Sequence, residues 1–301
     1  MFTSKLRALL ELIRPANIVT AFADILAGYA AAGGVILVTG SPFSASPAGL
    51  GWLLISTFGL YGGGVVFNDV FDAELDAKER PERAIPSGRI SRAGAGILGT
   101  VLLSGGITAA FWVSGISGIL ASGIAVCALY YDAQAKHSAF WGPVFMGLCR
   151  GGNLILGVSI LPAMILQTGF IAIFPLFYIG SITLISQGEV HGGSKGYGLT
   201  ALGGVTLVIA GLALLALYPS YQLFTALPFI LLFSGIVLPP FARAARNPTP
   251  SFIRKAVKRG VLSLILLNSA LAAGFAGFPA GGLTLVLLPI SFLFARIFSV
   301  T

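Results

Sequence analysis

Charge is what this 301-residue sequence has least of: Asp, Glu, Lys and Arg make up 9% of it, whereas 56% is hydrophobic and the mean hydropathy is +0.94. Soluble domains carry about 25% charged residues, so a soluble globular fold is excluded. Strand alternation is also missing. The apolar runs are unbroken, unlike the alternating strands of a membrane barrel, and they recur at the ~20 residues that a helix needs to cross a bilayer. The fold class is therefore all-α, a polytopic membrane helical bundle. Cysteine is scarce. Cys127 and Cys149 lie in apolar surroundings with no partnering motif, which leaves no disulfide framework and reads both as small buried hydrophobes. The opening MFTSKLRALLELIRP has an acidic residue and no small-residue cleavage site, so it reads as an interfacial amphipathic helix rather than a signal peptide. What the chain has in quantity is glycine, 40 residues, which lets membrane helices pack closely.

Ten spans are expected, at about Pro15 to Val38, Leu50 to Phe67, Ala93 to Val113, Ile116 to Tyr131, Trp141 to Leu161, Thr168 to Ser186, Leu199 to Tyr218, Gln222 to Phe241, Val261 to Gly277 and Gly281 to Phe298. The fourth and ninth are short, and joining the last two as one broken helix would give nine. The turns after the odd-numbered spans contain neither Lys nor Arg. Every cationic stretch falls on the other side: Lys5, Arg7 and Arg14; Lys78 through Arg92; Lys136; Lys195; and Arg243, Arg246, Arg254, Lys255, Lys258 and Arg259. By the positive-inside rule that side is cytoplasmic, in a multi-pass protein of a bacterial inner membrane. The net charge of +8 then reflects topology and contact with anionic membrane lipids, not nucleic acid. Between Arg243 and Gly260 the basic residues alternate with Phe252, Ile253, Ala256 and Val257, as in a helix lying on the inner leaflet.

Most of the acidic residues are gathered in one place, the stretch NDVFDAELDAKERPERAIPSGRIS from Asn68 to Ser91. Asp69, Asp72 and Asp76 are spaced i, i+3, i+7, so on a helix they share a narrow arc with Asn68 at its edge. Like charges that close raise each other's pKa unless a cation sits between them, which points to a divalent metal; oxygen-only ligands suit Mg²⁺. A lone acidic pair would be a solvated turn capping a membrane helix. Here the third carboxylate and the run Arg80, Arg83, Arg89 and Arg92, whose guanidinium groups fork onto phosphate oxygens, describe a diphosphate site. Polar groups also lie at depth, Asn17 and Asp24 on the first span and Arg150 and Asn153 on the fifth. They either line a pathway or site, or pair with one another to bury their charge.

The run NDxxDxxxD followed by RPxRxIPSG closely resembles the first signature of the UbiA superfamily of intramembrane prenyltransferases, and within it the chain looks most like the EboC-type proteins. The resemblance covers nearly the whole chain, 1–301, as a single transmembrane domain with two similar halves. It implies that Asp69, Asp72 and Asp76 are catalytic and ligate Mg²⁺ together with Asn68. Arg14, Pro15 and Asn17 match an R-P-x-N pattern that turns Asn17 to the cavity. Tyr130, Tyr131, Asp132 and Lys136 resemble a Tyr-x-x-x-x-Lys pattern, with Tyr131 as belt or cavity wall. A second acidic motif is only half present: Glu189 stands for its first Asp and Gly193 for its second, with His191 between them as a substitute ligand or a bystander. Arg80, Arg83, Lys136, Arg150 and Lys195 would then hold diphosphate, and Asn17, Asp24, Tyr131 and Asn153 would line the cavity. The implied activity is prenyl transfer from a polyprenyl diphosphate to an aromatic or other lipophilic acceptor. The rival that the eroded second motif keeps open is a non-catalytic protein that binds or helps export a lipophilic precursor.

Overall fold

The structure, a computed structural model, describes residues 4–34 and 47–297. Val38 and Phe298, expected as span ends, lie outside the described residues, as does the side chain of Lys5. Among the described residues every regular element is helical.

The chain enters through α1 (Ser4–Ile13), whose Ala8 and Leu12 are buried against Val66, Ala84 and Ala95 while Arg7 stays exposed. Arg14 then takes the left-handed conformation (φ 49°, ψ 69°), and Pro15 starts α2 (Pro15–Ala31) at the first helical position, where its missing N–H costs nothing. The amphipathic N-terminal helix is therefore a separate element that turns sharply into the first long helix. Next comes α3 (Pro47–Phe71), which breaks at Asp72 into α4 (Ala73–Glu79). Backbone bonds from Asp72 N to Asn68 O (3.0 Å) and from Asp76 N to Asp72 O (2.8 Å) carry the helical register across the break.

After the turn-rich stretch to Ser91, whose hydroxyl caps Gly94 N, follow α5 (Arg92–Phe111), α6 (Gly115–Ala133) and α7 (Trp141–Val158). The short α8 (Ile165–Thr168) leads into α9 (Ile173–Ser186), then α10 (Lys195–Leu214), α11 (Leu223–Arg246), α12 (Pro250–Ala276), α13 (Phe278–Leu285) and α14 (Leu287–Ile297). Eight segments among the described residues are long and apolar enough to cross a membrane. α2 and α7, which carry the buried polar residues, take the places of the first and fifth expected spans.

Two expectations are corrected. The basic stretch from Arg243 to Gly260 is not a surface connection, because α11 continues to Arg246 and α12 begins at Pro250. Ile253, Ala256 and Val257 form a buried stripe at helical spacing, with Arg254, Lys255, Lys258 and Arg259 exposed on the other face. The ninth span is thus the longest helix, 27 residues, and not a short one. The chain breaks between the last two spans, at Gly277 (φ 84°), and again inside the last, at Val286.

Close helix crossings fix the geometry. A Cβ on Gly157 would come 2.6 Å from the carbonyl oxygen of Ile25, and one on Gly28 would collide with that of Leu154, so α2 and α7 touch backbone to backbone. That approach is what brings Asp24 within reach of Arg150.

Candidate active site

A cavity of about 400 Å³ opens where the ends of α3, α6 and α9 meet the start of α12. Its wall along the helices is apolar, with Leu60, Val65, Ile124, Ile179, Ile182 and Val261. At the helix ends it is charged, with Arg14, Asn68, Asp72, Asp76, Arg80, Arg83 and Glu189.

The carboxylates alternate with cations. Lys136 Nζ lies 2.6 Å from Asp72 Oδ1, and Arg83 Nη1 lies 2.7 Å from Asp76 Oδ2 and 3.4 Å from Asp69 Oδ1. Arg14 Nη2 completes the chain at 2.6 Å from Asp69 Oδ1. Asn68 donates from Nδ2 to Asp132 Oδ1 at 2.8 Å, which leaves the Asn68 amide oxygen as its remaining acceptor. Three bare carboxylates on one arc would repel, and guanidinium and ammonium groups from three other segments relieve that repulsion.

The expected convergence of three aspartates is therefore corrected. Asp72 and Asp76 face the cavity, whereas Asp69, drawn to Arg14 and Arg83, lines a second cavity on the other side. Among the described residues no three acidic, His or Cys side chains stand close enough together to hold a metal ion. The donor chemistry nonetheless fits a hard divalent cation. Asn68, Asp72 and Asp76 offer oxygen atoms from one side, and Glu189 offers a buried Oε1 with no hydrogen-bond partner from the other. Burial pushes the Glu189 carboxyl above the usual carboxylate range, and Arg80 and Arg254 partly draw it back. A cation in the cavity would satisfy that oxygen.

The second half-motif contributes Glu189 alone. Gly193 donates its N–H to Pro248 O at 3.0 Å, and a Cβ there would meet Ile253 Cδ1 at 3.1 Å, so the position faces packing rather than the cavity. His191 is exposed. Lys195, expected on diphosphate, is also exposed and lines neither cavity: Ser194 caps α10, and the first helical position points outward.

At depth Arg150, expected on diphosphate, lines the cavity while paired with Asp24. Arg150 Nη1 lies 2.7 Å from Asp24 Oδ2, its Nη2 bonds Thr20 Oγ1 at 2.5 Å, and its guanidinium sits 5.0 Å from the centre of the Tyr61 ring. Asp24 also accepts from Asn153 Nδ2 (3.0 Å) and Asn268 Nδ2 (2.6 Å). Asp24 thus stands behind the cavity wall, wholly buried, while Asn17, Tyr131, Arg150 and Asn153 line it. Lys136 stands behind Asp72. Sequence reading missed Tyr61 and Asn268 as site residues, and it named Asp132 only within the Tyr-x-x-x-x-Lys pattern, with no role of its own. Asn268 could have been found, as the one Asn within the apolar run VLSLILLNSALAAG.

The site is thus a cavity within a membrane helical bundle, charged at the helix ends and apolar between the helices. The chain belongs to the UbiA prenyltransferase family, whose model matches residues 26–246. It is 31% identical over 153 residues to digeranylgeranylglyceryl phosphate synthase of Methanothermobacter thermautotrophicus, which covers 50% of each chain. The chain thus spans about half the length of the curated relatives it matches first. Its fold superposes on a structure of digeranylgeranylglyceryl phosphate synthase with a TM-score of 0.67 at 20% identity, over 91% of this chain and 99% of that one. A UbiA homologue from Archaeoglobus fulgidus bound to GPP and Mg²⁺ gives 0.52 at 13% identity, over 96% and 99%. These comparisons establish the family and the fold, not the EboC-type branch.

Proposed function

We propose that the protein is a Mg²⁺-dependent intramembrane prenyltransferase that moves a prenyl group from a polyprenyl diphosphate to a lipophilic acceptor. The observation that carries this is the division of one cavity into a charged end and an apolar length, which matches a diphosphate and its isoprenoid tail. The Archaeoglobus fulgidus homologue with GPP and Mg²⁺ supports the choice of ligands. Asn68, Asp72, Asp76 and Glu189 would hold the metal, and Arg80 and Arg83 on the cavity wall would face the phosphates, while Lys136 steadies Asp72 from behind. Asp69 positions Arg14 and Arg83 rather than touching the ion. When bound, Mg²⁺ neutralises charge gathering on the departing diphosphate. The allylic C–O bond breaks with its electron pair on the diphosphate, the acceptor oxygen bonds the allylic carbon, and its proton leaves to water. The apolar walls keep water from the allylic cation until the acceptor has captured it. The name of the matched relatives favours a glyceryl phosphate over an aromatic acceptor.

Mg²⁺ with geranyl diphosphate should raise the thermal stability of the protein in detergent, by about 2.7 kcal/mol at one hundred times Kd. Geranyl diphosphate with a chelator should do so much less. Equal stabilisation with and without the metal would remove Mg²⁺ from the proposal.

We also place residues 68–92 and 243–259 on the cytoplasmic side, since the cationic segments share one end of the bundle. Ser87 and Ser251 are exposed there. Ser87→Cys and Ser251→Cys should resist an impermeant thiol reagent in intact cells and react after lysis; labelling from outside would reverse the orientation.

A further inference from the structure

The apolar length of the cavity is short. Its lining runs from Asn68 back to Leu60 on α3, from Asp132 to Ile124 on α6, and from Ser186 to Ile179 on α9. Among the described residues no deeper part of these helices lines it, although each continues for several more residues. At about 1.5 Å of rise per residue, the three stretches agree on a depth of about 10 to 12 Å below the level of Asn68.

Directly beneath, the bundle is tied shut. Asn153 donates to Ala21 O at 2.9 Å and accepts from Thr57 Oγ1 at 2.7 Å, which joins α7 to α2 and α3. Beyond that brace Gly28 and Gly157 bring α2 and α7 together backbone to backbone. The Tyr61 ring stands at the floor with the paired Arg150 guanidinium 5.0 Å from its centre. An apolar chain could pass only by breaking these bonds and leaving buried donors and acceptors unsatisfied. The sides are closed as well. α2, α3, α6, α7, α9 and α12 form a ring in which each packs against the next. The seam between α2 and α12 is covered from outside by α14, with Leu287, Leu288 and Phe294 against Val19, Ala23 and Ile265.

An extended isoprene unit advances about 5 Å, four chain bonds of about 1.25 Å each along the axis for C–C bonds of about 1.5 Å. Two units fill the depth, and four overrun it. We propose that this floor, with Tyr61 on α3 and Ile124 on α6 as its contact residues, limits the prenyl donor to about two isoprene units. The inference rests on the prenyltransferase reading and names its donor class. A polar brace makes a firmer stop than an apolar side chain, because no rotamer change opens it.

The test measures Kd of dimethylallyl, geranyl and geranylgeranyl diphosphates with Mg²⁺ on the full chain in one detergent. Wild type should bind geranyl diphosphate about tenfold or more tighter than geranylgeranyl diphosphate, although the longer tail has more apolar surface to bury. Tyr61→Ala and Ile124→Ala should each bring those two constants about tenfold closer, the second without touching any hydrogen bond of the brace. Ala128, on the cavity wall one turn nearer the head, gives the opposite probe. Ala128→Phe should weaken geranyl diphosphate about tenfold and leave dimethylallyl diphosphate within about twofold. Comparison across variants cancels the partition of the longer tail into micelles. Should Tyr61→Ala fail to fold, Ile124→Ala and Ala128→Phe carry the same reading. Geranylgeranyl diphosphate bound by wild type as tightly as geranyl diphosphate, or a ratio unmoved by the opening variants, would overturn the stop and leave the prenyltransferase reading standing. Binding of none of the three would sink that reading, and the stop with it.

Discussion

Asp24→Ala should cost about 3–5 kcal/mol of stability, the scale seen when one partner of a buried ion pair is removed. Asp24 is fully buried, and its loss leaves the Arg150 guanidinium with Thr20 and the Tyr61 face but no counter-charge. The amides of Asn153 and Asn268 each lose an acceptor as well. Asp24→Asn should be milder, because it retains an acceptor while removing the charge. Adding Arg150→Met to Asp24→Ala should recover part of the loss and not all of it, since the two amides remain underbonded. The measurement is thermal unfolding in detergent across this cycle. A fully stable Asp24→Ala protein would show that the network bears no buried charge pair.

Asp72→Ala should lower prenyl transfer roughly 10²-fold or more, the effect of deleting one electrostatic contact made in the transition state. Asp72 faces the cavity, and its loss also releases Lys136 from its 2.6 Å pair. Lys195→Gln, at an exposed position outside both cavities, should stay within a few-fold of wild type. The contrast separates a positioned cluster from a general cationic surface. The same pair of variants weighs the enzyme against the non-catalytic binder, whose apolar cavity would supply most of its affinity. Full biological activity in a stably expressed Asp72→Ala variant would favour the binder.

Local spacing made much of this site legible, and distant partners account for most of what was not. Asn68, Asp72 and Asp76 could be placed because i, i+4 and i+8 positions on a helix share a face wherever that helix goes. The departure of Asp69 was hidden, since it depends on Arg14, 55 positions earlier in the chain. Lys195 was assigned by its place in a family pattern, and the cap on α10 decided its direction instead. The start of α12 was misread because its charges drew the eye from the stripe of Ile253, Ala256 and Val257, which the sequence does contain at helical spacing. At depth, polarity within an apolar run identified Asp24 and Arg150 as unusual but left open whether they met each other or a ligand. The Gly28–Gly157 crossing settled that they meet each other.

The bond from Asn268 to Asp24 spans 244 positions of sequence. It joins the first long helix to α12, the most enclosed of the candidate spans, with 78% of its apolar window buried. A nascent chain that enters the bilayer from its N-terminus therefore carries Asp24 through most of synthesis with only part of its final hydrogen bonding. α7 supplies the counter-charge about halfway, and α12 supplies the last amide near the end. Assembly is thus completed late, when a near-final helix slots into a space its predecessors have left for it.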